Sequence, residues 1–173
     1  MEWSYGLVQR ERPRPLLLLD IDGVLNPYAA AACPEGFREQ ILFPGEDPVR
    51  IGDAHAAWLK ELSETFEIVW ATGWGEDAHL LADILSLPRL PLVRFPPVPF
   101  DPEEKLPAIV AYVEHRPAAW VDDALPRAAY EWAASRGSPT LLICIDPAIG
   151  LRREHVDRLL AWAGQLRHQV APG

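Results

Sequence analysis

Four places along the chain carry residue types that could act on a phosphate group. The first is Asp20-Ile21-Asp22-Gly23, which ends the apolar run LLLL. A carboxylate at a strand end, held by a following tight turn, can be aimed at an electrophile, and glycine lets the backbone approach an anion closely. Asp22, two residues on, is placed to protonate a leaving oxygen and then to activate water. Two carboxylates this close disfavour joint ionisation, a repulsion that a divalent cation would offset. Thr72 could donate its hydroxyl to a phosphoryl oxygen, and Gly73 its N–H. Lys105 lies at a helix start, where the dipole favours anions and the ammonium could neutralise charge developing on transfer. Asp122 and Asp123 add hard oxygen ligands. A few of these, with water and substrate phosphate, are what Mg2+ prefers.

These residues are useful only if the elements bearing them converge. Short apolar runs predict strands at Leu16–Asp20, Glu67–Ala71, Leu90–Arg94, Ala118–Asp122 and Thr140–Ile145. Runs without polar alternation suit strands covered on both faces. Between them, Leu106, Ile109, Val110 and Val113 follow helical spacing, as do Val156, Leu159, Leu160 and Ala163. Asp53 to Glu64 carries Trp58, Leu59 and Leu62 on one side. Asp101-Pro102-Glu103-Glu104 reads as a helix start, with Asp101 as N-cap, Pro102 at the first position and Glu104 closing a capping box. Alternating strands and helices predict an α/β fold: a doubly wound, Rossmann-like parallel sheet of about five strands with helices on both faces. Ligands bind such sheets beyond the carboxyl ends of the strands. Asp20 with Asp22, Thr72 with Gly73, and Asp122 with Asp123 all lie there.

The 173 residues fit a single domain over 1–173, with its core at about 14–168. Residues 27–52 are rich in Pro and Gly and too few for a core of their own, so they read as a short flap insertion. A net charge of −9 argues against an extended nucleic-acid surface, which relies on Lys and Arg, but allows a site for one phosphate. The chain has no membrane-length apolar run and opens on no signal-like stretch, which predicts a cytoplasmic protein. Cys144, inside LLICI, is expected as a buried free thiol rather than half of a disulfide with Cys33. His55, His79, His115, His155 and His168 have no metal-ligand spacing and read as surface or satisfied histidines. Trp74 is expected at the core or rim, the alternative being a ring that stacks on a base. Arg152 and Arg153 read as a solvated helix start.

Taken in order, DIDGVLN (20–26), ATGW (71–74), Lys105 and VDD (121–123) resemble the four motifs of the haloacid-dehalogenase-like (HAD) superfamily. The resemblance covers the chain from about Leu16 to the last strand. WATGW followed by a late VDD is similar to small HAD-like domains associated with RNA-repair proteins. The resemblance implies Asp20 as a nucleophile forming an aspartyl-phosphate and Asp22 as general acid/base, its backbone carbonyl also on Mg2+. It implies Thr72, Gly73 and Lys105 as phosphate-binding residues, with Thr72 and Lys105 in the catalytic set. Asp20, Asp22, Asp122 and Asp123 would then form the metal site. An acid at position 22 implies phosphatase or phosphotransferase chemistry rather than dehalogenation. A short flap in place of a large cap implies an open site.

The expected function is therefore a Mg2+-dependent phosphomonoesterase. Its partner would be a phosphorylated small molecule or a macromolecular phosphate end. Two alternatives stand beside it: a phosphatase acting on nucleic-acid ends, and a non-catalytic or regulatory metal- and phosphate-binding module of the same fold. A phosphoacceptor receiver domain uses similar residues, but places its acid pair first and its lysine last. Here DxD comes first and the acid pair last.

Overall fold

The computed structural model describes residues 13–168. Its centre is a four-stranded, fully parallel sheet in the order β4-β1-β5-β6. The strands are β1 (Leu16–Leu19), β4 (Glu67–Trp70), β5 (Ala118–Asp122) and β6 (Thr140–Cys144). β1 lies inside the sheet, and its four leucines are fully buried. Alternation divides them between two cores. Leu17 and Leu19 join a cluster with residues of α1 (His55–Thr65), α2 (Ala78–Ile84) and α5 (Arg153–His168). Leu16 and Leu18 face α3 (Lys105–Val113) and α4 (Arg127–Ser135). Helices therefore cover both faces, as the unbroken apolar strands predict. Val110, expected on the apolar stripe of α3, is instead exposed, while Ile109 and Val113 carry its packing.

The expected fifth strand, Leu90–Arg94, is reduced to one parallel bridge between Trp70 and Leu92 beside β4. Pro88 before it, Pro91 within it, and Pro96 and Pro97 after it lack the N–H a ladder requires. Residues 27–52 form no independent core. Within them β2 (Phe37–Gln40) and β3 (Val49–Gly52) pair as an antiparallel hairpin, and the fold has no large cap. Arg50 ties the hairpin down by donating to the carbonyls of Pro27 and Ala30 at 3.1 and 2.7 Å. No helix among the described residues is long and apolar enough to cross a membrane.

Cys144 is exposed, contrary to the expectation from LLICI. β6 is an edge strand with Cys144 as its last residue, and it is the flanking Ile143 and Ile145 that are buried in the core. His55 is also not satisfied as expected. It is buried against Phe37 and Trp58, and while its Nε2 lies 3.4 Å from the Leu151 carbonyl oxygen, its Nδ1 has no hydrogen-bond partner among the described residues. Arg153, at the start of α5, is not merely solvated: it clamps α5 to α1 through Glu61 and pairs with Asp157 in its own helix.

Candidate active site

The carboxyl ends of β1 and β5 are neighbours in the sheet, so Asp20 and Asp122 emerge side by side. Lys105 opens α3 after the turn at Asp101, whose N–H is accepted by the Glu104 carboxylate at 2.7 Å. Helical side chains lean toward the N-terminus, which turns the Lys105 stem back over the strand ends. Its ammonium donates to Asp20 Oδ2 and to Asp122 Oδ2, both at 2.7 Å. All three residues are buried: Asp20 is 5 % exposed, Lys105 7 % and Asp122 0 %. Phe95 packs beside the ammonium, its ring centroid 5.7 Å away.

Asp122 is held by two further donors, the Trp120 indole at 3.2 Å and the Ala124 N–H at 2.9 Å. Asp20 Oδ1 accepts the Ile21 N–H at 2.7 Å. Burial, followed by the charge of Asp122, pushes the Asp20 carboxyl up to about 8, although Lys105 and the Ile21 N–H pull the other way. Burial alone would lower the Lys105 ammonium, but Asp20 and Asp122 outweigh it and raise it above its ordinary value. An ammonium donating to two carboxylates at this distance is charged. One cation cannot neutralise both acids, and the surplus negative charge is a source of strain on Asp20.

Asp123 enlarges that surplus. Its carboxyl is half-buried and raised by burial and then by Asp122, with the Tyr28 hydroxyl donating to it at 3.3 Å. Asp20, Asp122 and Asp123 each offer a carboxylate oxygen, all within 4.8 Å of one another. With all three acids ionised, three carboxylates and one ammonium leave an excess of two negative charges, which one divalent cation would balance. Hard oxygen donors in this number suit Mg2+, so the residues fit the metal.

Gly23 has a different role from the one its sequence suggests. Its φ is +75°, and a Cβ there would lie 2.3 Å from Asp123 Cγ. The glycine makes room for an acid of the site, besides permitting the turn.

Asp22 stands apart from the three clustered acids. Its Oδ1 accepts the Asn26 amide at 2.9 Å and its Oδ2 the Trp74 indole N–H at 2.8 Å. Asn26 Oδ1 in turn accepts the Arg50 N–H at 3.0 Å, joining the hairpin to Asp22. Thr72 is buried at the end of β4, and its Oγ1 accepts the Trp74 N–H at 3.3 Å, leaving the hydroxyl hydrogen free to donate. Gly73 follows it at the surface of the site, with Val98 close enough to crowd any side chain there.

The fold thus brings Asp20, Lys105, Asp122 and Asp123 into direct association. Asp22, Thr72 and Gly73 lie on the adjoining loops. Asn26, Tyr28 and Trp120 belong to the site although no chemistry was read from them. Asn26 closes the DIDGVLN motif, and Trp120 lies two residues before Asp122 on the same strand face, so both carried a local signal. Tyr28 carried none, because its partner is 95 residues away. Trp74 sits at the rim, as expected, with its N–H on Asp22.

No curated protein and no solved structure matches the chain. A family match does exist, over residues 16–156, a span that begins with β1 and contains every site residue named above. The family is described as the HAD domain in Swiss Army Knife RNA repair proteins, and the chain belongs to it.

Proposed function

We propose that the chain is a Mg2+-dependent phosphomonoesterase that works through an aspartyl-phosphate on Asp20. The observation carrying this reading is the buried Asp20–Lys105–Asp122 bridge at the strand ends, with Asp22 oriented on the adjoining turn. Asp20, Asp122 and Asp123 would hold the metal, which when bound supplies positive charge to the transferring phosphoryl group.

An oxygen of Asp20 attacks phosphorus, the ester P–O bond breaks, and Asp22 gives its proton to the departing alcohol oxygen. Asp22 then accepts a proton from water as the water oxygen attacks the phosphorus. The bond from phosphorus to Asp20 breaks, returning the carboxylate and releasing inorganic phosphate. Thr72 and the Gly73 N–H donate to phosphoryl oxygens. Lys105 holds Asp20 in place and stabilises the charge on the equatorial oxygens.

The test is phosphate release from p-nitrophenyl phosphate with Mg2+, in wild type and in Asp20→Asn. A loss of about a thousandfold or more is expected, because the variant has no nucleophile. Equal rates in the two proteins, or no turnover on a broad phosphomonoester panel, would sink the reading.

A second reading keeps this chemistry and places the phosphate on a nucleic-acid end. The family's description as part of RNA repair proteins favours it. With a net charge of −9, contact would be confined to the terminal nucleotides. Dephosphorylation of a short phosphorylated oligonucleotide in preference to the aryl ester would support this second reading.

A further inference from the structure

Two clefts open beside the phosphate-binding loops. One, of about 350 Å3, is lined by Thr72, Arg94, Phe95 and Val98 and does not include Asp22. The other, of about 440 Å3, runs between Trp74 and the hairpin loop and has Asp22 in its wall. In the reaction proposed above, Asp22 delivers a proton to the alcohol oxygen that leaves. The leaving alcohol must therefore lie within reach of Asp22, which selects the second cleft.

The walls of that cleft are chemically uneven. Phe43 and Trp74 meet edge to face, with centroids 5.1 Å apart, and supply an aromatic side. Glu46 and Asp47, both exposed in the hairpin loop, also line it and supply negative charge. Among the described residues, no Lys or Arg lines it. The Trp74 indole N–H is already committed to Asp22, so this side offers a leaving group ring contact rather than a new hydrogen-bond donor.

We propose that this cleft is the leaving-group site and that it selects phosphomonoesters whose alcohol carries a flat ring without negative charge. The ring packs on Phe43 and Trp74, and its hydrogen-bond donors or positive charge face Glu46 and Asp47. A leaving group with a second phosphate directed into the cleft meets two carboxylates and is disfavoured. A nucleoside at a chain end meets the requirement when its remaining phosphates turn away from the hairpin. This inference rests on the hydrolase reading and narrows its substrate class.

The test uses three aryl phosphates whose phenols have similar acidity: phenyl phosphate, its para-aminoethyl derivative (cationic) and its para-carboxy derivative (anionic). The readout is the ratio of kcat/KM for the cationic ester to that for the anionic ester. Two carboxylates roughly 7 Å from the probe charge, in water-like surroundings and partly screened by salt, give a ratio of about tenfold. The double variant Glu46→Gln with Asp47→Asn is expected to bring the ratio to about one, since only the interacting charges are removed. Each ratio is measured on one sample, so incomplete folding of the variant cancels. Turnover of all three esters with a ratio near one in wild type, or a ratio unchanged in the double variant, overturns the cleft assignment and leaves the hydrolase reading standing. No release from any of the three esters overturns this inference, and no release from the broad phosphomonoester panel removes the hydrolase reading with it.

Discussion

Replacing Lys105 with Met removes the ammonium while keeping an unbranched side chain of similar length to pack beside Phe95. Wild type holds Asp20 and Asp122 with two hydrogen bonds of 2.7 Å from one cation, and neither acid reaches water freely. Truncating one partner of a buried ion pair costs about 3–5 kcal/mol, because the remaining charge stays buried and uncompensated. At roughly 2–4 °C per kcal/mol for a domain of this size, Tm should fall by about 6–20 °C without metal. The cost depends on pH. Once Lys105 is gone, burial and the Asp122 charge act on Asp20 without the ammonium that opposed them, so the folded Asp20 holds its proton to a higher pH than in wild type. A raised carboxyl loses folding stability as pH climbs from its unfolded value to its folded one. Wild type stops losing it at about pH 8, whereas the variant goes on losing it above that, so the gap should widen from about pH 7 to about pH 9. Chemical denaturation in EDTA at both pH values measures this. Added Mg2+ should raise the Tm of the variant more than that of wild type, because the cation answers a larger charge excess. A Lys105→Met protein within about 1 kcal/mol of wild type at about pH 9, or with a penalty that does not grow between the two pH values, would refute the electrostatic account of the site.

Three further outcomes are expected. Gly23→Ala forces a Cβ onto Asp123 at a left-handed φ, so stability should fall by at least about 1–2 kcal/mol. Calorimetric titration should also show weaker Mg2+ binding, and unchanged binding would mean that Asp123 takes no part. Burial lowers the His55 pKa from 6.5 to about 4, so the folded ring is neutral while the unfolded one takes up a proton. This contribution is complete above pH 6.5 and decays by about 3 kcal/mol on descent to pH 4. Subtracting the stability–pH curve of His55→Phe from that of wild type should isolate it, and a flat difference would contradict it. Trp74→Phe keeps a ring but deletes the 2.8 Å donor to Asp22. It should slow an alkyl phosphate about tenfold more than p-nitrophenyl phosphate, whose leaving group needs little protonation. Equal slowing of both esters would show that the indole does not position the acid.

The edge of the sheet shows where reading from sequence stops. Leu90–Arg94 has strand composition, yet the prolines around it lack the donors to extend a ladder, and a single bridge remains. Cys144 has core-like neighbours in sequence, but it is the last residue of an edge strand and alternates away from the core that buries Ile143 and Ile145. His55 shows the converse, a polar ring enclosed by the hairpin, α1 and Leu151 from distant parts of the chain.

Local sequence specifies the inventory of site residues and the elements that carry them. Apolar runs ending in Asp20, Thr72 and Asp122 specify a parallel sheet with chemistry at its carboxyl ends, and Asp101 to Glu104 specify where Lys105 begins a helix. These are local signals, readable from neighbours in the chain. Packing between distant elements sets which acids Lys105 joins, the room Gly23 makes for Asp123, and the hold of Asn26 and Trp74 on both oxygens of Asp22. Each of those contacts depends on how separate elements pack at the strand ends, and the order of the residues along the chain does not encode that geometry locally.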